Sequence, residues 1–208
     1  MPTYLSAEQN TRGLEYYKDL TASMPKGIYF KNEEIDGGWT EIDNIIVVSS
    51  YTSMKKKSLY FNWGPHITVA SPSDNWHPSG PSTRKKYHSV NLVTTDNEKY
   101  GEGLFDADLS DSDEGYITHG MGGTSGATPI VAGVCGLMLS AIPNLTSKRI
   151  KEILQESANK TDIDFVLDEK LYNNIDVDGD FRDGHSLQWG AGRIDAEKAV
   201  AKAMSENT

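Results

Sequence analysis

The 208-residue sequence predicts an α/β fold on a parallel sheet, and three observations carry that expectation. Ile45-Ile46-Val47-Val48-Ser49-Ser50 is a continuous run rich in β-branched residues, the pattern of a strand covered on both faces rather than one alternating between core and water. Ile67-Thr68-Val69-Ala70-Ser71-Pro72 is a second, shorter strand after a break at 60–65. Finally, a glycine-rich loop at 122–123 opens into Pro129, Ile130, Val131, Ala132, Val134, Cys135, Leu137, Met138 and Leu139, apolar on nearly every side and so expected to be a core helix.

Taken in order, Tyr4-Leu5-Ser6-Ala7 is short and apolar, and its conformation is open. Ser6-Ala7-Glu8-Gln9 has the spacing of a capping box, which would set Asn10 inside a helix. Residues 13–34 read as an insertion, with a helical patch around Leu14, Tyr17 and Leu20 broken by Pro25 and Gly27. Asp36-Gly37 is a common turn former. After the two strands, residues 73–90 are rich in Ser, Pro and Gly, carry Arg84-Lys85-Lys86, and read as a surface loop. Residues 91–96 and 115–119 are expected to pair as strands leading into the glycine loop. Thr124 or Ser125 is expected to cap the helix that follows, with Pro129 near its start, where a lost N–H matters least. Thr146 caps a second helix with Ile150, Ile153 and Leu154 on its apolar face and Leu145 stapled to Ile150. A last helix starts at Asp195, with Ala196, Ala199, Val200, Ala203 and Met204 on one face. Neither a repeat nor a second domain is visible, so 1–208 reads as one partial domain.

The formal charge of −10, from 30 acidic against 20 basic residues, argues against nucleic acid as a partner, because binding phosphates needs a basic face. A run of about 18 apolar residues is missing, so no membrane span is expected. Residues 1–10 lack the basic-then-apolar order of a signal peptide. The single cysteine, Cys135, cannot form an internal disulfide. It lies roughly 15 Å along the helix from Ser125 and on another face, and reads as a small core residue rather than a nucleophile.

The whole run Gly123-Thr124-Ser125-Gly126-Ala127-Thr128-Pro129-Ile130-Val131-Ala132-Gly133 resembles the nucleophile motif of subtilisin-like serine proteases. Ala141-Ile142-Pro143-Asn144-Leu145-Thr146 is similar to that family's link to the next helix, and Trp189-Gly190-Ala191-Gly192-Arg193-Ile194-Asp195-Ala196 to its closing segment. The two strands and the Asn62-Trp63-Gly64 turn resemble its strand, Asn-x-Gly turn and V-x-A-P segment. The likeness spans about residues 43–204, and Val93-Thr94-Thr95-Asp96 is closer in wording to kexin-like and calcium-dependent members. It implies the C-terminal part of a three-layer αβα domain with a parallel sheet.

The resemblance implies that Ser125 is the nucleophile of a serine endopeptidase, that Gly123 and Thr124 bind substrate, and that the partner is a polypeptide. For Asn10 two readings stand: the oxyanion donor of the family's A-A-G-N-like turn, from which Ala7-Glu8-Gln9-Asn10 departs at Glu8 and Gln9, or a helical residue behind a capping box. Asp36 likewise matches either the family's D-G-Y-T-like segment, whose Asp receives a basic side chain, or a plain turn. A serine needs a base and a group orienting it, in the family order Asp, His, Ser. Nothing before Ser125 reads as D-[ST]-G or H-G-T; among His66, His77, His88, His119 and His185, only His119 is near in sequence, on a strand where the family places no base. The chain therefore reads as the C-terminal half of a protease domain, needing the missing N-terminal half or a complementing chain. The alternative is a non-catalytic subtilase-like module that binds peptide or protein. No motif demands a cofactor, and calcium stays open. Asp176-Val177-Asp178-Gly179-Asp180 alternates carboxylates, but Phe181 and Leu187 stand where an EF-hand needs Gly and Glu, which favours a solvated turn.

Overall fold

The computed structural model describes residues 4–7, 45–58, 60, 62–74, 90–95, 117–160 and 180–206. Strands β1 (Tyr4–Ala7), β2 (Ile45–Tyr51) and β3 (Ile67–Pro72) form a parallel sheet in that order, and β4 (Leu92–Thr95) pairs antiparallel with β5 (Ile117–Met121). Helices α1 (Gly123–Ala141), α2 (Ser147–Ser157) and α3 (Ala196–Ser205) follow. The expected α/β architecture, its strand pair and the three helices from residue 123 onward are present, and the helical patch expected around Leu14, Tyr17 and Leu20 lies outside the described residues.

Register runs from Tyr4 opposite Ile45 to Ala7 opposite Val48, and from Val48 opposite Val69 to Tyr51 opposite Pro72. Where the second ladder slips, between Val47 and Val48, the Val47 N–H donates to Thr68 Oγ1 at 3.1 Å, so a side chain supplies the acceptor that the irregular backbone does not. β2 is buried along its whole length, as its unbroken apolar run predicts. On one face Ile46, Val48 and Val69 meet Val131, Val134 and Met138 of α1, together with buried residues of α2 and α3. On the other, Ile45, Val47 and Ile67 form a separate buried cluster.

Two caps sit where expected. Thr146 Oγ1 accepts from the Arg149 N–H at 3.2 Å and Asp195 Oδ1 from the Lys198 N–H at 3.0 Å. Leu145 packs partly buried against the core that holds Ile150. The apolar face of α3 is narrower than predicted: Ala199 and Ala203 are buried, whereas Ala196 and Met204 are exposed. α1 differs too. It buries one side, while Ala132, Gly133, Gly136, Leu137 and Leu139 are exposed, Leu137 at 55%. The helix is apolar on nearly every side, but the described residues cover one side of it. Its length and composition alone would also suit a membrane span, but its packing against β1, β2, β3 and α3 is that of a core helix.

The closing segment is laid along β3. Ala191 N–H donates to the Thr68 carbonyl at 2.9 Å, Ala70 N–H to that of Gly192 at 2.9 Å, and Ile194 N–H to that of Ala70 at 2.8 Å. Gly190 makes this approach feasible: its φ is +62°, and a Cβ there would lie 2.6 Å from the carbonyl oxygens of Ile67 and Thr68. Trp189 is fully buried against Tyr51, with ring centroids 6.1 Å apart. The buried Lys57 ammonium donates to Ser49 Oγ and lies 5.3 Å from the Trp189 ring centroid.

Candidate active site

Parallel sheets deliver functional groups from the carboxyl ends of their strands, and β3 does so here. Past Pro72 the chain turns inward. Ser73 N–H donates to the Tyr51 carbonyl at 2.8 Å, and Ser58 Oγ donates to the Asp74 carbonyl at 2.8 Å. Ser73 and Asp74 are thereby buried, at 2% and 3% exposure, where the sequence suggested the start of a surface loop. Both residues are drawn inward because they spend their polar groups on the turn entering α1. Asp74 Oδ1 accepts from the Gly123 N–H at 2.8 Å, and Ser73 Oγ donates to the Gly123 carbonyl at 2.7 Å. Tyr60 donates its hydroxyl proton to Asp74 Oδ1 at 2.5 Å. Burial, then the adjacent carboxylate, push the Tyr60 hydroxyl well above its ordinary pKa, so it stays a donor.

Neither Thr124 nor Ser125 caps α1. Gly122 occupies the N-cap position and no side chain of the cap residue accepts a bond; the acceptor is Asp74, from 49 positions upstream. Thr124 and Ser125 fall inside the first turn. Ser125 is exposed, while Gly126 and Ala127 directly after it are buried. A Cβ at Gly126 would lie 2.8 Å from Leu92 Cδ1, so the small residue lets β4 close on the helix start. Cys135 is buried, and burial pushes its thiol up to about 11, in line with a core role.

The geometry brings Gly123, Thr124 and Ser125 together over the end of the sheet. Asn10, Asp36 and the 13–34 segment lie outside the described residues, as do His77, His88 and residues 176–179. His119 lies on β5, the strand entering the glycine turn. His185 is half-buried, and its Nε2–H donates to the Ile67 carbonyl at 2.8 Å, far from Ser125 in sequence. Among the described residues no group of three His, Cys, Asp or Glu side chains assembles a metal site. Sequence reasoning missed Ser73, Asp74 and Tyr60. The available signal was the position of Ser73-Asp74 directly behind a buried parallel strand.

The sequence profile described as the Subtilase family matches residues 15–188. The chain belongs to the subtilase family. Its similarity to the Calcium-dependent protease of Trichormus variabilis is 30% identity over 176 residues, covering 83% of this chain and 23% of that protein. Kexin of Saccharomyces cerevisiae is 33% identical over 117 residues, 54% of this chain and 12% of kexin. The solved serine protease of Aeromonas sobria shares the subtilase fold with a TM-score of 0.60 at 18% identity, covering 100% of this chain and 42% of that one. This subtilase chain thus spans about a quarter or less of the curated relatives named here and under half of that solved structure. The Trichormus and Aeromonas proteins are both named as proteases. The segment from Trp189 onward lies beyond the profile match, yet it is bonded along β3.

Proposed function

We propose that this subtilase chain carries the nucleophile of a serine endopeptidase, with Ser125 attacking the carbonyl carbon of a polypeptide substrate. The observation that supports it most is an exposed Ser125 in the first turn of α1, held over the carboxyl end of a buried parallel strand. A base takes the Oγ proton as the bond to carbon forms, and the positive end of α1 favours the oxyanion that develops. Gly123 and Thr124 line the same turn and flank substrate. The base and its orienting acid come from polypeptide outside these 208 residues. The exposed apolar side of α1, with Leu137 and Leu139, supports docking of such a segment. A calcium ion, as the name of the Trichormus relative suggests for that protein, is a further candidate component.

In subtilisin itself, losing the catalytic histidine costs about 10⁶ in kcat, so Ser125 alone should be nearly inert. The purified chain should not label with a serine-directed fluorophosphonate, and adding the upstream polypeptide should restore labelling that Ser125→Ala abolishes. Rapid Ser125-dependent labelling of the chain alone would overturn the missing-base reading and turn attention to His119. Complementation without labelling would favour the non-catalytic binding module.

Asn10 is proposed as an oxyanion donor and Asp36 as the acid of a pocket for basic side chains, the latter from the resemblance of Asp36-Gly37-Gly38-Trp39-Thr40 to the D-G-Y-T-like segment of kexin-like members. A desolvated carboxylate left unpaired by an apolar substrate costs about 2–5 kcal/mol. The complemented enzyme should cleave a peptide library after Arg or Lys, and Asp36→Ala should remove the preference; equal wild-type cleavage after Leu and Arg would exclude Asp36 from the pocket.

A further inference from the structure

We propose that Asp74, backed by Tyr60 and Ser73, is the positioning residue of Ser125: a clamp on both polar groups of Gly123 that fixes where the first turn of α1 presents its hydroxyl. The inference rests on Ser125 being the nucleophile and adds the group that holds it. Four observations converge. Gly123 is gripped at its N–H by Asp74 Oδ1 (2.8 Å) and at its carbonyl by Ser73 Oγ (2.7 Å), two residues ahead of Ser125. Its φ of +72° is one that L side chains rarely adopt, so the turn that presents Ser125 requires glycine at this position. The clamp is anchored from below, since Tyr60 donates to Asp74 Oδ1 and Ser58 bonds the Asp74 carbonyl. Space is reserved for it: a Cβ on Gly122 would lie 2.0 Å from Asp74 Cγ and 2.3 Å from each carboxylate oxygen.

A carboxylate suits this role for two reasons. It accepts from the orphan N–H of a helix terminus in a charge-assisted bond about twice as strong as a neutral one. Its negative charge also complements the positive end of α1. Because Asp74 leaves β3 directly, the rigid sheet rather than a free loop sets the nucleophile's position, and a displacement of about 1 Å at a reacting atom costs roughly 100-fold in rate.

The test uses two routes to the same loss. Asp74→Ala removes the carboxylate, and Gly122→Ala displaces it while keeping the aspartate. In the full 208-residue chain, amide hydrogen exchange at 122–126 should accelerate about tenfold or more in both variants, with exchange in β2 and β3 unchanged, and Asp74→Asn should restore part of the protection. Equal exchange at 122–126 in wild type and both variants would overturn the clamp. Should Asp74→Ala lose protection throughout the sheet, Gly122→Ala and Asp74→Asn decide the matter by the same criterion. A second readout addresses the nucleophile in the complemented protease: Asp74→Ala should lower the maximal rate of fluorophosphonate labelling at Ser125, with the half-saturating reagent concentration unchanged. A variant with fewer labelled molecules but an unchanged rate would show a folding role only and overturn positioning. An unlabelled wild type would count against Ser125 as nucleophile, whereas the exchange comparison still decides the clamp.

Discussion

A methyl group at position 190 has nowhere to go. The Cβ of Gly190→Ala would fall 2.6 Å from two carbonyl oxygens of β3 at a φ of +62°, so the closing segment must lift from the strand or the strand must bend. We expect Gly190→Ala to lower the urea midpoint by an amount equivalent to about 2 kcal/mol or more; an unchanged midpoint would show that the segment is dispensable to the sheet. Cys135 offers the opposite expectation. With its thiol buried and pushed up to about 11, it should resist iodoacetamide at neutral pH until the chain is unfolded. Its core role was legible from its place in an apolar helix. The roles of Asp74 and His185 were not, because their partners, Gly123 and Ile67, lie far off in sequence and no local pattern announces such a bond.

At the scale of elements, α2 and α3 are tied by a charge network on their outer surface. Arg149 bonds Glu152, Glu156 and Glu206, and Lys202 bonds Glu156 at 2.7 Å. Hydrogen bonds from Arg149, then Lys202, hold the Glu156 carboxyl down to about 2, against an ordinary value of 4.5. A folded-state pKa below the unfolded one stabilises the protein above pH 4.5, and that contribution fades as pH falls toward 2. The pair is exposed, so its worth is under about 1 kcal/mol and shrinks in salt. Glu156→Gln should therefore destabilise slightly at pH 6, flatten the loss of stability between pH 4.5 and 2, and matter less in 1 M salt; urea titrations across pH check this, and an equal deficit at pH 2 and pH 6 would refute it. Helix boundaries were legible where a residue caps its own helix, as Thr146 and Asp195 do. The start of α1 was misread because its cap comes from another element.

For the molecule as a whole, the sheet and its helices were legible because strands buried on both faces leave an unbroken apolar run, whereas the amount of covering that α1 receives is a property of neighbours and not of its own residues. Leu137 and Leu139 lie on the uncovered side of α1 along with Ala132, Gly133 and Gly136, and a contiguous apolar surface of this kind is uncommon on isolated soluble domains. The chain alone should bind a hydrophobic dye or self-associate, and Leu137→Glu should reduce both without unfolding it. A monomer that melts sharply and ignores the dye would argue that this surface needs no cover. The sheet is also asymmetric at its margins. The outer margin of β3 is finished by residues 190–194, whose backbone takes up the hydrogen bonds of Thr68 and Ala70. Among the described residues, nothing pairs with the outer margin of β1. A free strand edge is a template for another strand, so a segment that extends the described sheet is expected to add beside Tyr4–Ala7, on the side away from the closing segment.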